Sequence, residues 1–251
     1  LAASVFIKLM NFVEDNIENI KGIPVPFRTC LGGLCVGLIA LSFPHVLGNG
    51  FDVTSDLISL DSDNTNGLLI GDSFPVDTDI SSGITNLLIF ILSIMALKII
   101  ATSISIGSGG SGGIFTPSLF IGAAIGAGLG LVLYDIGIVS HPGAFALVGM
   151  AAFVASTTRA TLTAIVLLFE MTATYEIILP LMLSCVVADA VCYVISEHSF
   201  YTSKLARRGI NIDLGAGQDL MRMIEVKEAM SKEVMTIKPD QPLELALQII
   251  E

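Results

Sequence analysis

The sequence predicts an all-α membrane protein whose helices are short, tilted and broken. Hydrophobic residues make up 53% of the 251 residues and charged residues 14%, against roughly 25% charged residues in soluble domains. The mean hydropathy is +0.82. Most apolar runs are about 12 to 17 residues long, whereas an upright helix needs about 20 residues to cross a hydrocarbon core. Short, interrupted helices within one membrane domain are typical of transporters and channels that hold ions at helix ends.

A glycine-rich segment, residues 107–113, separates two of the apolar runs, and five of its seven residues are glycine. Pro117 follows it, and proline suits the first turn of a helix because its missing N–H is not needed there. A helix is therefore predicted to begin at Phe115 or Thr116 with its first N–H groups unpaired. Such a helix end attracts anions. The alternative interpretations are a flexible linker or a plain loop between two spans.

The other predicted helices follow the apolar runs, which proline, glycine and polar residues separate. All the predicted helices together cover residues 2–13, 30–43, 87–102, 116–138, 141–154, 160–171 and 175–196. Residues 52–79 are predicted to form an acidic loop. Gly122, Gly126 and Gly130 recur every four residues, which predicts a surface where another helix packs closely.

Charge is distributed unevenly along the chain, whose formal net charge is −11. Residues 52–79 hold seven aspartates and no lysine or arginine, whereas seven of the twelve basic residues lie from Lys204 onward. The positive-inside rule therefore predicts a cytoplasmic C-terminus, and we expect the acidic loop on the outside. The sequence has no basic patch of useful size, so nucleic acid is not an expected partner. The expected partner is the lipid bilayer.

Three ionisable side chains are predicted within or beside the last membrane helices. Asp189 falls inside the run 175–196, while Arg159 and Glu170 lie near the two ends of the preceding run. Charges buried in membranes are costly and often functional. We expect each of the three to have a structural partner inside the bundle, and direct function is the alternative. Lys98 is placed near the end of its helix.

The cysteines and histidines form no metal-binding or redox motif. The four cysteines lie in apolar runs without a Cys-x-x-Cys pair and are Cys30, Cys35, Cys185 and Cys192. They are predicted to be small buried hydrophobic residues. The three histidines lie at the ends of runs, where an interfacial position is expected. The sequence also has no Ser/His/Asp arrangement, so it predicts neither a metal site, nor catalytic residues, nor enzyme activity.

Several segments, taken in order, resemble the CLC family of chloride channels and chloride/proton antiporters. Residues 112–124, Gly-Gly-Ile-Phe-Thr-Pro-Ser-Leu-Phe-Ile-Gly-Ala-Ala, resemble its Gly-x-Phe-x-Pro signature. Residues 31–40 and 43–50 resemble an earlier part of the same half of that family. Residues 160–172 resemble its Pro-Leu-Thr-type helix, with Thr161 where proline is usual, and residues 199–205 resemble the start of its last membrane helix.

The resemblance implies the second of two inverted-topology halves, in a homodimer with one pore per subunit. It implies that chloride is held by the backbone N–H groups of Ile114 and Phe115, next to Gly113, and by the hydroxyl of Tyr201. Gly112, Thr116 and Pro117 complete the helix-start motif. The family's other ion ligands, a serine and a glutamate, and the proton-relaying glutamate of its antiporters lie in the first half. The sequence therefore does not distinguish a channel from an antiporter, and protons are a further candidate partner. The alternative to chloride as the transported ion is fluoride or nitrate.

The C-terminal part of the chain has a different character. Residues 226–251 resemble the opening of a CBS regulatory module, an α/β unit, after a linker at 209–225 and a transmembrane domain at 1–208. Complete modules of this kind come in tandem and can bind adenine nucleotides, but no cofactor is expected for this chain. The chain is expected to be a piece of a longer protein, because it lacks an initiator methionine and stops within a helical pattern.

Overall fold

The structure is a computed structural model that describes residues 2–18, 25–60, 80–173, 175–196 and 199–207. In these ranges the chain is helical, which confirms the predicted all-α fold. The helices are α1 (Ala2–Glu18), α2 (Val25–Ser42), α3 (Phe51–Ile58), α4 (Ile80–Gly107), α5 (Phe115–Asp135), α6 (Pro142–Thr158), α7 (Thr161–Thr172), α8 (Ile178–Ile195) and α9 (Phe200–Arg207), with 3₁₀ turns at Pro44–Val46 and Tyr175–Ile177. The predicted linker at 209–225 and the CBS segment at 226–251 lie outside the described residues.

The core of the bundle is the contact between α5 and α6, the most extensive between any two helices. A Cβ atom on Gly122 would lie 2.6 Å from the carbonyl oxygen of Gly149, and one on Gly130 would lie 2.6 Å from that of Pro142. Between them, a Cβ on Gly126 would overlap the carbonyl of Phe145. The predicted packing surface is therefore confirmed, and α6 is the helix that packs on it.

Residues 51–58 form a helix where the sequence analysis predicts a loop. Val53 and Leu57, one helical turn apart, are buried, while Asp52 is exposed. This short amphipathic face packs on α5 and α6. The loop prediction is wrong here because it gave weight to the aspartates and not to the apolar positions between them. Residues 61–79, the rest of the acidic segment, lie outside the described residues.

Helix α4 is longer than predicted. It has 28 residues. Three segments are long and apolar enough to cross a membrane: residues 84–107 of α4, residues 115–135, and residues 175–203, which include some undescribed residues. Polar residues do not interrupt α4 because their hydroxyls bond within it: Ser93 Oγ donates to Ile89 O at 2.7 Å and Ser103 Oγ to Ile99 O at 2.8 Å. The prediction of short helices holds for 26–42, 142–158 and 161–172 and is wrong for α4.

The cysteines divide into two pairs. Cys185 and Cys192 on α8 are buried, as predicted, and Cys192 Sγ lies 3.5 Å from Ser4 Oγ on α1. Cys30 and Cys35 on α2 are exposed, so the prediction is wrong for them. The apolar composition of α2 does not reveal this, because α2 packs mainly on α4 and the turn that follows it, which leaves much of its surface uncovered.

Candidate anion-binding site

The loop before α5 is shaped by glycine and fixed by hydrogen bonds. The N–H groups of Gly109 and Gly110 donate to the carbonyls of Ile106 and Ser105, at 3.1 and 3.0 Å. Gly109 has φ +91°, in the left-handed region that favours glycine. A Cβ on Gly110 would lie 2.5 Å from Ser105 O. The chain thus reverses tightly after α4, and this turn determines where α5 can begin.

Helix α2 holds the same loop from its other side. Thr29 Oγ1 donates to Ser108 O at 3.0 Å. Gly32 allows the approach, since a Cβ there would overlap the side chain of Ser108. The loop is therefore fixed by two helices that are far apart in sequence, which argues against the flexible-linker interpretation.

Helix α5 begins at Phe115, which confirms the predicted start. Ile114 precedes it, and its carbonyl accepts from Ser118 N at 3.0 Å and from Ser118 Oγ at 2.8 Å. In the described part of the chain no side chain caps this helix end. The first N–H groups of a helix, counted from its N-cap residue, have no intrahelical acceptor. Those of Ile114, Phe115 and Thr116 are therefore available to a ligand, and Pro117 has none to leave unpaired.

The space beside this helix end is open in this chain. A Cβ on Gly113 would meet no atom within 4 Å, and one on Gly112 would meet only Ile106 Cγ1 at 3.9 Å. The Ile114 side chain is buried in the core and anchors the helix start. Thr116 lines a cavity of about 260 Å³ between α3, α5, α6 and α7. An anion beside the start of α5 would meet backbone donors and the positive end of the helix dipole.

Tyr201 lies on α9, and its side chain is about half exposed, at 51%. Its neighbour Phe200 is buried, and the two rings meet edge to face at 5.7 Å. Asn11 on α1 holds α9 in place by donating to Ser203 Oγ at 2.9 Å. In the part of the chain that is described, no hydrogen bond joins Tyr201 to residues 112–117. The structure thus leaves the Tyr201 side chain accessible.

Two of the three ionisable groups singled out from the sequence form a polar cluster at the ends of α7 and α8. Asp189 Oδ2 accepts a hydrogen bond of 2.6 Å from Thr161 Oγ1, and Asp189 Oδ1 lies 3.9 Å from Arg159 Nε. Arg159 Nη2 donates to the carbonyls of Cys192, at 3.2 Å, and Ser196. The expected structural partners of Arg159 and Asp189 are thereby found.

The cluster places each charge at the helix end that stabilises it. The carboxylate of Asp189, a residue of α8, lies beside the N-terminus of α7, which favours a negative charge. The guanidinium of Arg159, which follows α6, lies beside the C-terminus of α8, which favours a positive charge. Thr161, where the CLC signature usually has proline, provides the hydroxyl that pairs with Asp189. Glu170 is exposed near the end of α7, and no ion pair involves it within the described residues.

Lys98 is the functional candidate that the sequence analysis missed. It lies well inside the span 84–107, and its side chain is only 3% exposed. Its ammonium group donates to Val46 O and Gly48 O, both at 2.8 Å, and lies 5.5 Å from the centre of the Phe120 ring. The sequence analysis places Lys98 near a helix end, which is wrong because α4 continues to Gly107. A charge inside a membrane helix is by default a candidate for function.

Comparison with known proteins identifies the family. A sequence profile described as "Voltage gated chloride channel" matches residues 1–193. The chain belongs to this family. It is therefore an integral membrane protein, and the predicted resemblance to CLC proteins is confirmed.

Individual CLC proteins agree with this assignment. The chain is 35% identical over 187 residues to a putative chloride channel protein ClcB-like of Ralstonia nicotianae, covering 74% of this chain and 38% of that protein. It is 35% identical over 186 residues to the chloride channel protein CLC-f of Arabidopsis thaliana, covering 70% of this chain and 21% of that protein. The chain thus spans well under half the length of these two relatives.

The fold also matches a solved member of the family. The crystal structure of a slow cyanobacterial Cl⁻/H⁺ antiporter superposes with a TM-score of 0.57 at 26% sequence identity, covering 82% of this chain and 44% of the solved chain. The all-α architecture is thus that of a CLC antiporter over somewhat less than half of its length.

Proposed function

We propose that this chain forms part of a CLC protein that moves chloride across a membrane, with the ion held at the start of α5. The observation that supports this most directly is the uncapped helix end at Ile114 and Phe115, beside the open space at Gly113. Tyr201 is proposed as a further donor through its hydroxyl. The chloride channel and antiporter names of the family's members point in the same direction.

The chemistry of such a site suits a transported ion. Backbone N–H groups replace part of the hydration shell of the anion, and the helix dipole adds about half a positive charge. A full charge in contact with the anion would trap it, whereas conduction requires binding that is favourable enough to admit the ion and weak enough to release it. The fixed loop 107–113 keeps these donors in position before the anion arrives.

A flux assay on the full-length protein, reconstituted in lipid vesicles, tests this proposal. We expect chloride efflux down an imposed gradient, and a simultaneous pH change inside the vesicles if protons are exchanged. Nitrate and fluoride gradients are the matched comparisons. Flux of one of these anions without chloride flux would favour the alternative cargo, and no anion flux at all would contradict the proposal.

Tyr201→Phe is expected to weaken chloride binding by at most about tenfold, because one neutral hydrogen bond contributes about 0.5–1.5 kcal/mol net. Tyr201→Ala removes the ring as well and is expected to loosen any coupling to protons. Calorimetric titration of chloride into the full-length variants measures the first effect. Tyr175→Phe, which removes an exposed hydroxyl elsewhere, is the control. If both Tyr201 variants bind chloride like the parent, Tyr201 is not a ligand.

Three properties of the whole protein complete the proposal. It is proposed to be a homodimer with a cytoplasmic C-terminus, on the basis of the CLC resemblance and of the basic residues from Lys204 onward. It is also proposed to contain complete CBS modules that bind an adenine nucleotide, while residues 226–251 alone are too few to form such a site.

A further inference from the structure

We propose that Lys98 is a buried positive charge that raises the anion affinity of the α5 start without touching the anion. The inference rests on the proposed anion site at Ile114 and Phe115. It says that Lys98, on α4 and outside that site, helps to determine how tightly the site binds anions and how well it excludes cations.

The charge of Lys98 has neutral partners in the described part of the chain. Two backbone carbonyls, of Val46 and Gly48, accept its hydrogen bonds, and the third contact is the face of the Phe120 ring. Carbonyl dipoles and an aromatic face stabilise an ammonium group, but they do not cancel its net charge. No carboxylate pairs with Lys98 in the described residues. A positive potential therefore remains in the core of the bundle.

The packing around the ammonium group is tight, and the Lys98 side chain is only 3% exposed. A Cβ on Gly50 would lie 2.7 Å from Phe120 Cδ2 and 3.5 Å from Lys98 Nζ. Gly48 and Gly50 both have positive φ, +63° and +73°, so the backbone bends closely around the lysine at two glycine positions. A charge that is buried in this way is weakly screened by salt.

Lys98 is close enough to α5 to act on its N-terminus. Phe120 follows Phe115 by five residues, which is about 7.5 Å along the helix axis, and helical side chains lean toward the N-terminus. The ammonium group lies 5.5 Å from the centre of the Phe120 ring, so its distance from the helix start is on the order of 10–15 Å. That distance is too long for contact, but a charge still exerts a substantial attraction over it where the dielectric constant is low.

This arrangement separates attraction from coordination. The anion is coordinated by backbone N–H groups, which carry only partial charge, and it is attracted by a full charge that lies behind Phe120. The site therefore favours anions over cations and can still release its ion. Lys98 also ties α4 to the turn before α3 through its two hydrogen bonds, which is the structural role that an experiment must separate from the electrostatic one.

Three substitutions in the full-length protein separate these roles. Lys98→Arg keeps the charge, Lys98→Gln keeps hydrogen-bond donors without the charge, and Lys98→Met keeps neither. We expect Lys98→Gln and Lys98→Met to weaken chloride binding by about tenfold each and Lys98→Arg by less than about threefold. Lys8→Gln removes the same charge from an exposed position on α1 and is expected to change affinity by less than about twofold.

Chloride calorimetry, the anion-to-cation permeability ratio and thermal unfolding are measured on each variant. The proposal is supported if affinity and permeability ratio follow the charge across the variants, with arginine retaining both, and do not follow the order of their unfolding temperatures. It is overturned if Lys98→Gln binds chloride like the parent, or if the loss of affinity only follows the loss of thermal stability. A parent protein that binds no chloride would contradict the anion site itself, and Lys98 would then have no anion to attract.

Discussion

Gly126→Ala is expected to destabilise the protein by about 3 kcal/mol or more, at the upper end of the usual cost of overpacking. The added methyl group would overlap the carbonyl of Phe145 and come within 3.0 Å of Ala146 Cα. Both obstacles are backbone atoms of α6, so no rotation of a side chain can relieve the clash. The two helices would have to separate along the most extensive contact of the bundle.

Thermal unfolding of the full-length protein in detergent measures this effect. Gly128→Ala, two residues further along α5, is the matched control, since its Cβ would meet only the tip of the Leu88 side chain, at 3.4 Å. We expect the control to change the free energy of unfolding by less than about 1 kcal/mol. Equal melting temperatures for the two variants would mean that α5 and α6 do not pack as closely as described.

Arg159→Met is expected to destabilise the protein by about 2–3 kcal/mol. The substitution leaves Asp189 without its counter-ion and the C-terminal carbonyls of α8 without their donor. Unpairing a fully buried ion pair costs about 3–5 kcal/mol, and the effect is smaller here because the Arg159 and Asp189 side chains are 15% and 30% exposed. Denaturant or thermal unfolding of the full-length variant measures the change.

A double-mutant cycle tests whether the two residues act as a pair. We expect Asp189→Leu to cost about 2 kcal/mol alone, and the double variant Arg159→Met with Asp189→Leu to cost at least about 1 kcal/mol less than the two single losses added together. Additive losses would show that Arg159 serves only the carbonyls of α8 and Asp189 only Thr161.

The start of α5 could be predicted from the sequence because the information is local. Five glycines at 107–113 and the proline at 117 are enough to indicate a turn followed by a helix whose first N–H groups are unpaired. The four-residue repeat of Gly122, Gly126 and Gly130 likewise predicts a close helix contact from spacing alone. Spacing does not identify the partner helix, and α6 became evident only in the folded chain. Tyr201 as a ligand came from the family resemblance and stays a prediction.

The tertiary structure decided which polar side chains are buried, and against what. Lys98 and Asp189 both lie in apolar runs, yet the partners of Lys98 are carbonyls about 50 residues earlier and those of Asp189 are side chains about 30 residues earlier in the chain. The exposure of Cys30 and the helical fold of residues 51–58 depend on neighbouring helices in the same way. The free energy of burying a charge is determined by the groups around it, and these groups come together only when distant segments pack.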